Sequence, residues 1–305
     1  MTDFTMTQDA QGIATLTWNC IGKSMNVMSF EALQQMNAMI DQALADEAVK
    51  GIILTSGKKD FAAGMDLNVL ADLRNASGEN PAEGVFNGIQ SIHQIFRKIE
   101  RAGMDAKTNK GGKPIATVLP GTALGIGFEL PLATHRIFAA DNPKAKIGLP
   151  EILVGLFPGA GGTIRLVRKL GAMVAAPFLL EGKTLPPAKA KAAGLIDSVS
   201  ADPMADARAW VLNATEADLI KPWDQKGYKM PGGTPYHPSG FMTFIGASAM
   251  VHGKTQGAYP AAKALLSAVY EGAQVPFETA LKIEARWFTS VLMNPSSEAM
   301  IRSLF

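Results

Sequence analysis

Two carboxylates stand out for the company they keep. Glu129 follows the glycine-rich turn Gly125-Ile126-Gly127, and Glu151 lies 22 residues later in the apolar run Ile147-Gly-Leu-Pro-Glu151-Ile-Leu-Val154. Glycines let the main chain turn tightly and leave amide N–H groups uncovered by side chains. The first amides of a helix have no internal partner and sit at the positive end of its dipole. Such a turn suits an anion, or a carbonyl oxygen that becomes one during a reaction. Acids beside free amides point to acid–base chemistry next to a stabilised oxyanion. A third stretch, Phe61-Ala-Ala-Gly64-Met65-Asp66, again brings small residues and bare backbone to the end of a strand, where α/β folds place ligands. Taken singly, each of these has a plainer reading: a tight strand-to-helix connection, a helix-dipole glutamate, a cap after proline.

The elements that must position these groups are legible in outline. An apolar strand, Ile115–Leu119, runs into the first glycine turn, and a helix opens with Glu129 in its first turn. Upstream, Gly12–Trp18 reads as a strand, and Ser29 as the cap of a helix whose stripe is Phe30, Leu33, Met36, Ile40 and Leu44. Gly51–Thr55 is a short strand of the parallel, doubly covered type, so strand, helix and strand form a right-handed crossover. Residues 75–83 read as an exposed loop and Val85–Ile99 as a helix. Lys107, Lys110 and Lys113 read as a solvated loop in preference to a phosphate site. Gly159–Gly162 precedes a basic amphipathic helix, Thr163–Leu170; Thr184–Gly194 holds a short proline-started helix, and Leu195–Val199 a strand. No GxGxxG joins a strand to a helix, so a dinucleotide fingerprint is absent. Residues 1–200 thus form an α/β core. Residues 201–305 form a helical section with a Pro/Gly-rich loop at 221–240, followed by helices over Phe241–His252, Pro260–Glu271 and Phe277–Leu292.

Bulk properties exclude several classes. The 305 residues carry a formal charge of +2, which gives no nucleic-acid signal. A single cysteine, Cys20, rules out an intramolecular disulfide and any multi-cysteine metal site, and His93, His135, His237 and His252 show no ligand spacing. The N-terminal MTDFTMTQDA is not a secretory signal, and no apolar run approaches the roughly 20 residues of a membrane span. The expectation is a cytoplasmic protein without a metal.

Together, FAAGMDL, GTALGIGFEL and GLPEILVGLFPGAGGTIRL resemble the crotonase (enoyl-CoA hydratase/isomerase) superfamily over about residues 10–200. KPWDQKGYKMPGG, YPAAKALLSAVYEG and ALKIEARWFTSVLMNPSSEAMIRSLF resemble more narrowly the hydratase half of multifunctional fatty-acid-oxidation α-subunits. The resemblance implies the crotonase (ClpP-like) spiral of ββα units with a helical C-terminal section. It implies an oxyanion hole from the main-chain N–H groups of Met65 and Ile126, and an acid–base pair, Glu129 and Glu151. Ala62, Ala63, Gly64, Asp66 and Gly125 fall at the substrate and coenzyme A wall, with Asn26–Ser29 a further candidate beside its reading as a helix cap. The reaction implied is hydration of a trans-2-enoyl-CoA in fatty-acid β-oxidation, with Δ3-Δ2-enoyl-CoA isomerase side activity. No separate cofactor is needed, coenzyme A being part of the substrate.

Alternatives are another crotonase-fold acyl-CoA enzyme (isomerase, thioester hydrolase or decarboxylase) and a non-catalytic binding protein. The resemblance also implies either a trimer-type homo-oligomer or, in a full-length form, a dehydrogenase half and a thiolase partner. The chain reads as an isolated hydratase domain without dehydrogenase activity. Its end, Trp287–Phe305, is expected to expose an apolar interface, and Leu67, Leu70 and the C-terminal helices are expected to shape the acyl pocket.

Overall fold

The computed structural model describes residues 2–66, 69, 70, 73 and 79–304; Leu67, residues 75–78 of the expected loop and Phe305 lie outside them. β1 (Phe4–Gln8) and β2 (Ile13–Trp18) pair antiparallel, with Asp9 in the turn accepting the Ile13 N–H at 3.0 Å. Ser29 caps α1 (Phe30–Ala45), its hydroxyl accepting the Ala32 N–H at 3.0 Å, and Leu33, Met36 and Ile40 are buried as the helical spacing requires. β3 (Gly51–Ser56) follows. α2 (Pro81–Arg101) starts at its proline, four residues before the expected Val85, so residues 81–83 are helical. β4 (Ile115–Leu119) matches the expected strand and leads through β5 (Ala123–Leu124) to α3 (Ile126–Ala133) and β6 (Arg136–Ala140).

Beyond β7 (Ile147–Gly148) a 3-10 turn, Glu151–Val154, precedes α4 (Gly162–Leu170) and α5 (Ala172–Leu180). β8 (Thr184–Leu185), α6 (Pro187–Ala192), β9 (Ser198–Ser200), α7 (Pro203–Asn213) and α8 (Glu216–Leu219) come next. The chain finishes in α9 (Pro238–Thr255), α10 (Pro260–Gly272), α11 (Phe277–Leu292) and α12 (Pro295–Leu304).

Contacts divide the chain into two compact units that do not follow chain order. One holds Met1–Asp66, Gln94–Ile147 and Leu185–Lys221; the other holds Leu67–His93, Gly148–Thr184 and Pro222–Phe305. The grouping follows contacts and not chain order, and α7, which falls in the section expected over 201–305, packs on the sheet.

In the first unit a six-stranded sheet runs β1-β2-β3-β4-β6-β9, parallel from β2 onward. Buried on both faces, β3 and β4 are nearly continuous apolar runs. Ala207 and Val211 of α7 are buried in one cluster with Ile13, Ile53, Ala116, Val118 and Phe138, with Trp210 and Met204 alongside. The sequence reading places no helix there. The last strand is Ser198–Ser200, not Leu195–Val199, and Leu195 and Ile196 are buried ahead of it. Lys113 is not a free cation, since its ammonium donates to the Ala43 and Asp46 carbonyls at 3.0 and 2.6 Å and closes the end of α1.

The second unit is helical. Ile164 of α4 is buried with Phe277, Ala280 and Leu281 of α11, and Trp223 stacks on Phe277 with ring centroids 4.9 Å apart. The segment expected as a loop, 221–240, is pinned by Tyr228, whose hydroxyl donates to the Arg168 carbonyl at 2.5 Å. Trp287 is part-buried and donates to Glu271 at 2.9 Å. Among the described residues of this unit, the exposed large apolar side chains include Met173 and Val174 on α5, Tyr236, Phe241, Met242, Ile245 and Met250 on or beside α9, Tyr270 on α10 and Leu153 on the 3-10 turn. Among the described residues, no helix is long and apolar enough to cross a membrane, and no three His, Cys, Asp or Glu residues could hold a metal ion.

Candidate active site

In the first unit the segment Phe61–Asp66 is bonded along both of its edges. The Phe61 ring packs edge-on against Trp18 at 5.9 Å, and Trp18 stacks on Phe4 at 5.3 Å. Ala62 turns both main-chain groups toward the strand before α3: its N–H donates to Thr122 O at 3.1 Å and its carbonyl accepts from Leu124 N–H at 3.0 Å. Ala63 turns the other way, its N–H donating to Asn26 O at 2.9 Å. Strict alternation would return Gly64 to the Thr122 side and send Met65 toward Asn26. Instead Gly64 O accepts from Met28 N–H and Asp66 N–H donates to Met28 O, both at 3.0 Å. Met65 therefore faces the same side as Ala62. Gly64, at φ +123°, makes this break in parity, in a region that side chains rarely enter. The Met65 N–H, re-aimed in this way, has no partner among the described residues.

The second turn is seated against the first by close approach. A Cβ on Gly127 would lie 2.6 Å from the Ala62 Cβ, so only glycine lets α3 begin here. Gly125 O accepts the Phe128 and Glu129 N–H groups at 2.7 and 2.9 Å, and the Ile126 N–H, at the positive end of α3, has no partner among the described residues. As the first residue of the helix, Ile126 has a backbone conformation that a β-branched side chain accepts. Every residue of α3 is buried, Glu129 included. At the other end the Lys221 ammonium donates to Leu132 O and Thr134 O at 3.0 and 2.5 Å, complementing the negative pole. His135 accepts the Ile115 N–H at 2.9 Å; burial, aided by the Lys221 charge, lowers its pKa to about 3, so it is neutral and structural.

Asn26 is the residue whose role the sequence does not announce. It is fully buried, its Oδ1 accepts from Cys20 N–H at 2.9 Å, and its amide nitrogen lies within 3.0 Å of Trp18 O, Ser56 Oγ and Phe61 O. With its own carbonyl on Ala63, this one residue ties the Phe61–Asp66 segment to the ends of β2 and β3. Cys20 beside it is 3% exposed, and burial raises its thiol pKa. Asp66 pairs with Lys23.

Glu151 lies in the second unit and is described with its own neighbours. It opens the 3-10 turn, and both carboxyl oxygens are buried without a hydrogen-bond partner among the described residues. Burial pushes its pKa up to about 8, opposed in part by its own main-chain amide and reinforced by the negative charge of Glu284. Glu284 is itself fully buried on α11 and accepts the Gly161 and Ile164 N–H groups at 2.6 and 2.9 Å, capping α4 from a distance in sequence.

Residues 8–216 match the family described as enoyl-CoA hydratase/isomerase, well over half of the chain. The chain belongs to the enoyl-CoA hydratase/isomerase family. Relatives include the fatty acid oxidation complex subunit alpha of Shewanella amazonensis, 31% identical over 304 residues, and that of Shewanella halifaxensis, 32% identical. In each case 99% of this chain is covered but only 40% of the relative, so the chain spans about 40% of the length of these curated relatives. Among solved structures, enoyl-CoA hydratase from Bacillus halodurans superposes with a TM-score of 0.66 at 16% identity, covering 99% of this chain and 100% of that one. An enoyl-CoA hydratase/isomerase from Mycobacterium paratuberculosis gives 0.65 at 17% identity, covering 99% and 98%. At those identities the likeness speaks to the enoyl-CoA hydratase/isomerase fold, which is the expected crotonase-type α/β architecture with its helical C-terminal section.

Of the expected site residues, the first unit gathers Ala62, Ala63, Gly64, Met65, Asp66, Gly125, Ile126 and Glu129 at one join between the Phe61–Asp66 segment and α3. Leu70 is buried in the second unit. The Asn26–Ser29 stretch serves the fold, through the Asn26 network and the Ser29 cap.

Proposed function

We propose that the protein is an enoyl-CoA hydratase that adds water across a trans-2-enoyl-CoA to give the 3-hydroxyacyl-CoA. The observation that carries this reading is the pair of main-chain donors without a partner among the described residues, Met65 N–H and Ile126 N–H, on two segments seated against each other, with buried Glu129 on the first turn of the helix that Ile126 opens. Donors fixed before reaction need not reorganise as charge develops, and one such donor is worth on the order of 3 kcal/mol in the transition state.

In this reading the thioester carbonyl oxygen accepts both N–H groups. The Glu129 carboxylate takes a proton from water as its oxygen attacks Cβ. The C=C electron pair moves onto Cα and the carbonyl, and the resulting enolate collapses by taking a proton at Cα from the carboxylic acid of Glu151. The raised pKa of Glu151 supports its serving as the acid, since that carboxyl is protonated at neutral pH. Ala62, Ala63, Gly64, Asp66 and Gly125 line the proposed thioester and coenzyme A wall, and the chemistry asks for no further cofactor. The printed name of the relatives, fatty acid oxidation complex subunit alpha, supports fatty-acid β-oxidation as the setting.

The test is direct. Crotonyl-CoA mixed with the protein should lose its conjugated thioester absorbance, with 3-hydroxybutyryl-CoA as product. No loss across several chain lengths, or conversion of a 3-enoyl-CoA alone, would replace the hydratase reading with an isomerase or another acyl-CoA reaction.

A further inference from the structure

No other described residue holds the carboxyl of Glu151 by a hydrogen bond: its oxygens are buried, with only its own main-chain amide beside them. Its direction is set by the main chain that carries it. That chain is a single 3-10 turn, closed by Leu153 N–H to Pro150 O at 2.9 Å and Leu156 N–H to Glu151 O at 3.1 Å. One such turn has few bonds of its own and poor hydrogen-bond geometry.

The turn is gripped instead by side chains from more than 100 residues away. The Tyr259 hydroxyl donates to the Ile152 carbonyl and accepts the Gly155 N–H at 3.2 Å, so one phenol bridges both sides of the turn. Burial raises the Tyr259 pKa, which keeps the phenol protonated as a donor. Ser297 Oγ lies 2.8 Å from both Gly155 O and Val291 O, linking the same residue to α11. Above it, a Cβ on Gly155 would lie 2.9 Å from the Met300 sulfur of α12. Tyr259 stands at the start of α10 and Ser297 in the first turn of α12, so helices far along the chain fix one turn.

We propose that Tyr259 and Ser297 are positioning residues that aim the Glu151 carboxyl by clamping the turn on which it sits. This rests on the reading of Glu151 as a catalytic acid. The C-terminal helices then have a defined task in the reaction: they supply the rigidity that the carboxyl lacks. A misplacement of about 1 Å in a reacting group costs on the order of 100-fold in rate, which sets the scale of the effect.

The experiment measures kcat and KM for crotonyl-CoA hydration, with melting temperature, for Glu151→Gln, Tyr259→Phe, Ser297→Ala and each clamp variant combined with Glu151→Gln. Tyr259→Phe should lower kcat about 10- to 100-fold with KM within about twofold, and Ser297→Ala should do so less strongly. In the Glu151→Gln background either clamp substitution should cost less than about twofold more, because a residue acting through Glu151 has nothing left to aim. Near-normal kcat in Tyr259→Phe, or the same fold-loss with and without Glu151, overturns the clamp. Should Tyr259→Phe fail to fold, Ser297→Ala and its double variant decide by the same criterion. Full turnover in Glu151→Gln instead removes the reading of Glu151 itself, so the two failures are told apart.

Discussion

Around Met65 the proposed oxyanion donors belong to the main chain and are held by the main chain: Ala62, Ala63, Gly64 and Asp66 each make a backbone bond to a neighbouring segment, and Asn26 ties that corner to two strands. Around Glu151 the group is a side chain with no hydrogen bond to any other described residue, mounted on one turn that Tyr259 and Ser297 grip from outside. The difference suits what the proposed reaction asks of each. A hydrogen-bond donor for an oxyanion works best when immobile and always present, whereas an acid must part with a proton and take one back. A carboxyl tied into hydrogen bonds as a carboxylate would have a lowered pKa and make a poor acid at neutral pH; leaving Glu151 buried and unbonded does the opposite.

The largest effects should come from removing the acids. Glu129→Gln and Glu151→Gln should each lower kcat for crotonyl-CoA about 10²- to 10⁴-fold with substrate binding largely kept, read from the absorbance assay. Comparable losses would show that the anchored and the gripped region contribute alike; a small loss in either breaks the pairing. Next, Gly64→Ala asks whether the parity break matters. Space exists for the methyl, whose nearest neighbour would be Leu124 O at 3.7 Å, but φ +123° is hostile to alanine. Relief of strain of roughly 1–3 kcal/mol should swing the Met65 amide away and lower kcat about 100-fold in a protein that still folds.

Asn26→Ala should act on stability first, leaving the Cys20 N–H and the Trp18 and Phe61 carbonyls short of partners. A loss of about 2–4 kcal/mol in denaturant unfolding is expected, larger than for any exposed substitution in the same unit.

The smallest effect is the most diagnostic of the contrast. Glu151 has a folded pKa of about 8 against 4.5 when exposed. Below pH about 4.5 it is protonated folded or unfolded and changes nothing. Between about 4.5 and 8 the unfolded chain releases a proton that the folded protein keeps, so stability falls as pH rises, and above 8 the loss is complete. Glu151→Gln should therefore be more stable than the parent at pH 9, with no gain at pH 4. An equal melting temperature at pH 9 would mean that Glu151 is not a buried acid. The same titration predicts that hydration fades as pH rises through about 8.

Periodicity and punctuation carried the sequence reading as far as local signals reach. The Ile115–Leu119 strand, the Phe277–Leu292 helix and the Ser29 cap are local matters and appear where expected. α7 went unread because its apolar residues, Ala207, Trp210 and Val211, are few and it is held by the sheet beneath it rather than by its own pattern. The motifs picked out the candidate site residues, and Tyr259, Glu284 and Ser297 fall within C-terminal stretches that resemble relatives, but nothing in those letters says what they touch. Tyr259 meets Ile152 across 107 residues, and Glu284 meets Gly161 across 123. An asparagine that staples two strand ends to a third segment is indistinguishable, in a string of letters, from one in a turn.

Cys20 brings an unplanned use. The chain has only this one thiol, sealed at the Asn26 corner with its sulfur 3.4 Å from Val27 O and 3.5 Å from an Asp3 carboxylate oxygen. A maleimide or aromatic disulfide offered to the native protein has to wait until that corner parts. The labelling rate is thus a clock for how often the corner beside the proposed oxyanion donors breathes, built in without an introduced probe.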